Sequence, residues 1–457
     1  MPASRSLAAV WLGTAAILVS SVASGCATYT SRVREARHAF YAGDLATTQA
    51  LLEKLDDRRP GERDVLKLDQ AIVDLVQGRP RDAESKLREV RDHFDYLEQE
   101  SVAEAGVSML TDDTYRSYDG EDYEKVLIRA FLAMSNLMDD GEDALAYSLQ
   151  VDQKQRELIE RGIPGGDPKE NPKRSYQPVA IGPYLHGVMR EASHLNYDDA
   201  ERSFAAVASW EPSFQLVKHD LERVRSGVHS QRGHGVVYVI ALVGRGPYKE
   251  ETIAPVSSAA LLIADRILSA TGDHSLPPTI APIKIPQVVL PHNVVQGVEV
   301  LVPGQNPLRT QTVTHVGRLA LHQYELTKDH ILARAVARRV VKKATIYGVK
   351  SVLDINNPWT ELAFDAAGVV WEATETADTR SWGLLPESIQ VARLELPAGT
   401  HTVALRPTGS GRAIGPSNYC QVTVEDGRNS YMLAYFPNHQ LVGQILTSGN
   451  PYPVANR

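Results

Sequence analysis

The chain has 457 residues and only two cysteines, Cys26 and Cys420. If Cys26 is consumed by another chemistry, no intrachain disulfide can form, and a chain of this length can build cores large enough to do without one. Basic excess is also missing. The formal charge is −8, which excludes a general nucleic-acid binder, because such a protein needs a cationic footprint to displace counterions. After the first 25 residues no apolar run reaches the length that spans a bilayer. The patterns of catalysis are equally sparse. There is no His-Glu-x-x-His, no cysteine pair and no short His-x-His group for a metal, and no Gly-x-Ser-x-Gly elbow for a serine nucleophile. The stretch Val243-Gly244-Arg245-Gly246-Pro247-Tyr248-Lys249 follows a strand-like run but lacks phosphate-loop spacing. Pro247 also removes one of the amides that would cradle phosphate, so a turn is the better reading. Gly409-Ser410-Gly411 likewise lacks dinucleotide spacing. The carboxylate pairs Asp112-Asp113 and Asp139-Asp140 fall in polar stretches that read as solvated loops. No catalytic residue, metal ligand or cofactor is therefore assigned.

What is present begins at the N-terminus. Arg5 precedes an uncharged apolar run from Leu7 to Val22, and Ala23-Ser24-Gly25 lead into Cys26. A run this short, ended by small residues, reads as an export signal. The alternative is an uncleaved anchor helix. The small residues before the cysteine resemble the lipobox of bacterial lipoproteins, with Ala23 where Leu is usual. The resemblance implies removal of residues 1–25, lipidation of Cys26, and anchoring in the cell envelope. Ala27, not an acidic residue, follows the cysteine, which implies the outer membrane, facing the periplasm. Cys420 lies in a strand-like run and reads as a small buried hydrophobe.

From Tyr29 to about Val228 apolar residues recur at helical intervals, as in Val33, Ala36, Phe40 and Val65, Leu68, Ile72, Leu75. Tyr41-Ala42-Gly43-Asp44-Leu45 and Gln77-Gly78-Arg79-Pro80 place turn glycines between successive amphipathic stretches, at a spacing typical of helical-hairpin arrays. Two further candidate units run from about Lys125 through Asp139–Ala144 to Leu149 and from Tyr184 to Pro212, the latter containing Leu195–Ala200. These units resemble tetratricopeptide repeats; an irregular helical bundle is the alternative. The family pattern implies that Arg37, Tyr41, Arg129 and Asn136 point into a concave groove and contact a partner. Residues 162–178, rich in proline and glycine, read as a loop or hinge, and Asp119 reads as the N-cap of a helix starting near Tyr123.

After about Arg232 the pattern changes. Gly235–Val243 reads as a buried strand, Val256–Ala270 as a helix, and short strands follow around prolines. A helix is expected from about Thr327 to Ile346, with a boundary between His322 and His330. Its residues Arg334, Arg338 and Lys342 share one face, either solvated or laid on anionic lipid. Strands close the chain. The expected fold is thus a tetratricopeptide-like helical domain, 26–230, followed by a mixed α+β domain, 231–457, with a small antiparallel sheet and its own core. Several phrases, among them Leu110-Thr111-Asp112-Asp113, Tyr118–Lys125, Asp378-Thr379-Arg380-Ser381-Trp382 and Leu396–His401, resemble a family of uncharacterised bacterial lipoproteins. That resemblance implies no activity. The expected function is a lipid-anchored envelope scaffold that binds an unknown envelope protein or peptide, in cell-envelope or cell-wall assembly. The alternative is an envelope enzyme or carbohydrate-binding protein with its site in the C-terminal part.

Overall fold

The computed structural model describes residues 28–56, 60–103, 117–163, 168–271, 282–352 and 376–448. Cys26 and the phrase Leu110–Asp113 lie outside the described residues. Ten helices come first: α1 (Tyr29–Arg32), α2 (Arg34–Tyr41), α3 (Leu45–Asp56), α4 (Arg63–Val76), α5 (Pro80–Ala103), α6 (Asp122–Met138), α7 (Ala144–Arg161), α8 (Ile181–Glu191), α9 (Tyr197–Trp210) and α10 (Leu216–Ser226). Gly43 and Gly78 take φ of +83° and +80° in the turns after α2 and α4, a backbone region where a side chain would be strained. Helix α6 is buried along nearly its whole length. Its N-cap is Glu121, not the expected Asp119. Glu121 and Glu124 form a reciprocal capping box, each carboxylate accepting from the other's end of the first turn.

The sheet-rich part contains β1 (His234–Val243), β2 (Tyr248–Ala254), helix α11 (Ser258–Thr271), β3 (Ile283–Val289), β4 (Gly297–Leu301), β5 (Leu308–Arg309), β6 (Gln311–His315), helix α12 (Val316–Val352), β7 (Ser388–Pro397), β8 (Gly399–Gly409), β9 (Arg412–Ala413), β10 (Asn418–Val424), β11 (Asn429–Phe436) and β12 (Val442–Ser448). One sheet has the order β12-β11-β1-β7-β6, a second β10-β8-β4-β5 with β9 on β8, and β2 pairs with β3 alone. β1 runs parallel to β11 and antiparallel to β7.

Strand β1 explains the architecture. Its side chains alternate between faces, and both faces are apolar. Val237, Val239, Ala241 and Val243 pack with Val298, Val403 and Val422 of the second sheet. Val236, Tyr238, Ile240 and Leu242 belong to the same buried cluster as Leu68, Ile72, Phe131 and Tyr184 of the helices. The first sheet is therefore a middle layer between the helices and the second sheet. The change of secondary structure falls where expected, between Ser226 and His234, but one core crosses it. A second core, between the two sheets, lies wholly within 231–457, while the first joins that part to the helices. A smaller cluster of Ala260, Ala264, Ile283, Ile285, Leu332 and Val336 joins α11, the β2–β3 hairpin and α12.

Helix α12 begins at Val316, eleven residues before the expected start, so His322 and His330 lie on one helix. The basic stripe is interrupted: Arg334 is exposed, but Arg338 is only 8% exposed, so these two do not share a solvated face. Among the described residues, no helix is long and apolar enough to cross a membrane.

Candidate functional site

Residues 376–387 form no helix or strand, yet from Ala377 to Pro386 all but Asp378 are buried. A buried irregular strap must have its peptide groups paired by something other than a ladder. Buried side chains supply the pairing. The Trp382 N–H donates to Glu124 Oε1 at 2.8 Å and the Leu384 N–H to Asp69 Oδ1 at 2.9 Å. Tyr41 Oη donates to the Gly383 carbonyl at 3.2 Å, and Tyr435 Oη reaches the carbonyls of Leu384 and Leu385, each at 3.0 Å. The Trp382 indole donates to the Leu68 carbonyl at 3.0 Å and packs on Phe131 with ring centroids 5.2 Å apart. Burial pushes the Asp69 carboxyl up to about 7, against the pull of the Leu384 N–H and Arg37. Burial, reinforced by Glu121, raises Glu124 as well. These two acids hold the strap.

Beside the strap lies a cavity of about 630 Å³, within the range of small-molecule and peptide sites. It is enclosed by the ends of α5 and α7, the start of α6, the hairpin strand β3, helix α12 and the beginning of the strap. Most of its wall is occupied by ion pairs: Lys125 with Glu98 at 2.9 Å, Arg161 with Glu98 at 2.6 Å, Lys173 with Asp122 at 2.7 Å, Arg380 with Asp378 at 2.7 Å, and Lys249 with Glu121. Burial works to raise the Glu98 carboxyl, but Lys125 and Lys154 outweigh it and hold it at about 2. The wall contributed by α12 is different in kind. Gln323, Tyr324, Thr327, His330, Ile331 and Arg334 line it at three- and four-residue spacing. Burial and the neighbouring Arg334 lower the His330 imidazole, which favours its neutral form.

The cavity wall is also tied to the start of the chain. Thr28 accepts from the Ser31 N–H and caps α1. The Thr30 N–H donates to Thr379 Oγ1 at 3.2 Å, and Thr30 Oγ1 donates to the Lys249 carbonyl at 2.5 Å. Lys249 lines the cavity, so its wall is bonded to the residue four positions after Cys26.

The four residues expected in a partner groove fare unequally. Arg129 and Asn136 are buried, at 5% and 3% exposure. Arg129 is spent on Asp95 and the Lys125 carbonyl, and Asn136 on Glu84, Asp140 and the Asp143 N–H. Neither faces a groove. Their side chains are fixed by intramolecular partners. Arg37 and Tyr41 are half-buried. Arg37 lies 4.4 Å from the Tyr248 ring centroid, and Arg245 lies 5.0 Å from that of Tyr41, so both face the strap and β2. Cys420 is partly buried against the second core, and burial raises its thiol to about 11, the behaviour of an unreactive side chain. Sequence reasoning missed Gln323 and Tyr324. The signal available was the spacing Gln323, Thr327, His330, Arg334. Among the described residues no group of three or more His, Cys, Asp or Glu side chains is arranged to hold a metal ion. Compared with known proteins, the chain matches no family model, no curated protein and no solved structure.

Proposed function

We propose that this chain is a lipid-anchored protein of the bacterial cell envelope that binds a protein or peptide partner close to the membrane. The attachment of Thr30 to Thr379 and Lys249 is the observation that carries this reading. With lipid on Cys26, the attachment at Thr30 lies four positions along the chain from the anchor, a reach of at most about 14 Å. The body then sits against the bilayer, and the cavity wall formed by Lys249 is held near it. A bare signal peptide would call for no such short tether, whereas a lipoprotein with a membrane-proximal task gains orientation from it. Outer-membrane placement, facing the periplasm, follows from Ala27 in the same reading. The helices from α2 to α10 are read as tetratricopeptide-like hairpins that frame the site, and the cell-wall or envelope assembly role rests on the same family resemblance.

The test is metabolic palmitate labelling with membrane fractionation. The natural chain should be labelled and pellet with the outer membrane. Cys26→Ser should lose the label and accumulate as unprocessed precursor. Normal processing and membrane retention of Cys26→Ser would overturn the anchoring. Its partner function is tested by capture from solubilised envelope, with the cavity variants described next as the control.

A further inference from the structure

The cavity has one saturated wall and one unsaturated wall. Six cationic side chains line it, Lys125, Arg161, Lys173, Lys249, Arg334 and Arg380, against five carboxylates. Five of the six cations are engaged by a carboxylate within 4 Å. Arg334 is the exception: among the described residues it has no ion pair and no hydrogen bond. Among the described residues that line the cavity, Arg334 is thus the cation left available to an anionic group from outside.

Three further groups on that helix are unspent among the described residues. Gln323 is only 8% exposed, and its side-chain amide has no partner among the described residues. The amide opens on the cavity, where it is available to pair with an occupant. Two turns along, His330 is half-buried without a hydrogen bond, and the Tyr324 hydroxyl is likewise unpartnered among the described residues. The chemistry of this set selects a ligand class. A carboxamide offers a donor and an acceptor together, which matches the N–H and C=O of a peptide unit. Inorganic phosphate could engage Arg334 but offers no flat amide unit to match the carboxamide. Guanidinium binds a carboxylate through two parallel bonds. The partly exposed Tyr324 adds an aromatic ring to the same wall.

We propose that the cavity binds an acidic peptide segment, with Arg334 taking a side-chain carboxylate and Gln323 pairing with the peptide backbone. This deepens the partner-binding reading above and rests on it, but not on lipidation of Cys26.

The experiment uses the detergent-solubilised full chain and an equimolar pool of acetylated, amidated pentapeptides that carry Glu, Gln or Lys at one central position. Bound peptides are counted by mass spectrometry. The natural chain should enrich Glu peptides over their Gln and Lys counterparts about tenfold, the scale of one charge-assisted hydrogen-bonded pair. Arg334→Gln should erase that preference while leaving the melting temperature within a degree or two, because Arg334 is exposed. Gln323→Leu should weaken Glu and Gln peptides alike and preserve the preference. Absence of Glu enrichment in the natural chain would overturn the assignment, as would enrichment that survives Arg334→Gln. Displacement by inorganic phosphate at concentrations matching the peptides would overturn the peptide class. Envelope capture that persists in Arg334→Gln, together with no peptide preference, would keep the scaffold reading and reject this site.

Discussion

Glu124 and Trp382 stand 258 residues apart in sequence, and the carboxylate of the first accepts the backbone N–H of the second at 2.8 Å. Glu124 is fully buried and also receives the hydroxyls of Tyr118 and Tyr123. One acid on a helix therefore gathers two tyrosines and an irregular strap from the other end of the chain. Glu124→Gln turns a pure acceptor into a group with an N–H₂ aimed at donors. It should destabilise the protein by about 2 kcal/mol, read by denaturant unfolding. Unchanged stability would mean that the strap is held by its other contacts alone.

The shared core makes a prediction about fragments. Residues 231–457 alone would present Val236, Tyr238, Ile240, Leu242, Leu433 and Tyr435 to water, all of them buried against the helical layer in the full chain. A patch of that size promotes association. The fragment should be poorly soluble and lack a cooperative melt. A monomeric fragment with a sharp thermal transition would show that the sheet layers need no helices.

Asp69 gives a pH dependence of defined sign. Its carboxyl is raised from 3.8 to about 7 in the folded chain. Between those values the unfolded chain releases a proton that the folded chain keeps, so stability falls as pH rises from about 4 to 7 and stays reduced above. The full effect is on the order of a few kcal/mol. Glu387, raised to about 7 by burial, acts in the same direction. Glu98, held at about 2, acts in the opposite one: its contribution is complete above its unfolded value of 4.5 and is lost as pH falls toward 2. Asp69→Asn should remove part of the decline between pH 4 and 7, measured as the difference in unfolding free energy between the two proteins. A difference that is flat with pH would contradict the raised carboxyl.

Arg37 lies over Tyr248 and beside Asp69, whose carboxyl it pulls down. Arg37→Glu replaces that favourable charge with a like one near a buried acid. It should destabilise the protein by about 1–3 kcal/mol, visible in the melt, rather than act only on partner capture. An unaltered melt with lost capture would return Arg37 to the binding surface.

How much of this was legible in the sequence depended on periodicity. Gly235–Val243 reads as a buried strand because an unbroken β-branched run suits a strand covered on both faces, and β1 is such a strand. The same run carries no mark of what covers it, so the sharing of one core between helices and sheet was invisible. The first turns of α12 carry no clean apolar stripe in His322-Gln323-Tyr324-Glu325, because Gln323 and Tyr324 border a polar cavity instead of a core. The strap was illegible for a related reason. Its hydrogen-bond partners, Asp69, Glu124, Tyr41 and Tyr435, are distant in sequence, and no local pattern announces them. The repeat resemblance points Arg129 and Asn136 into a groove, but Asp95 and Glu84 of α5, which hold them inward, leave no local mark in the sequence around them.

The most direct test of a membrane-tethered body is the mass of the mature N-terminal peptide from the native envelope. The account predicts a chain beginning at Cys26 with a diacylglyceryl group on sulfur and a further acyl chain on the amino group. A mature chain that retains residues 1–25, or that begins at Cys26 without lipid, would contradict it.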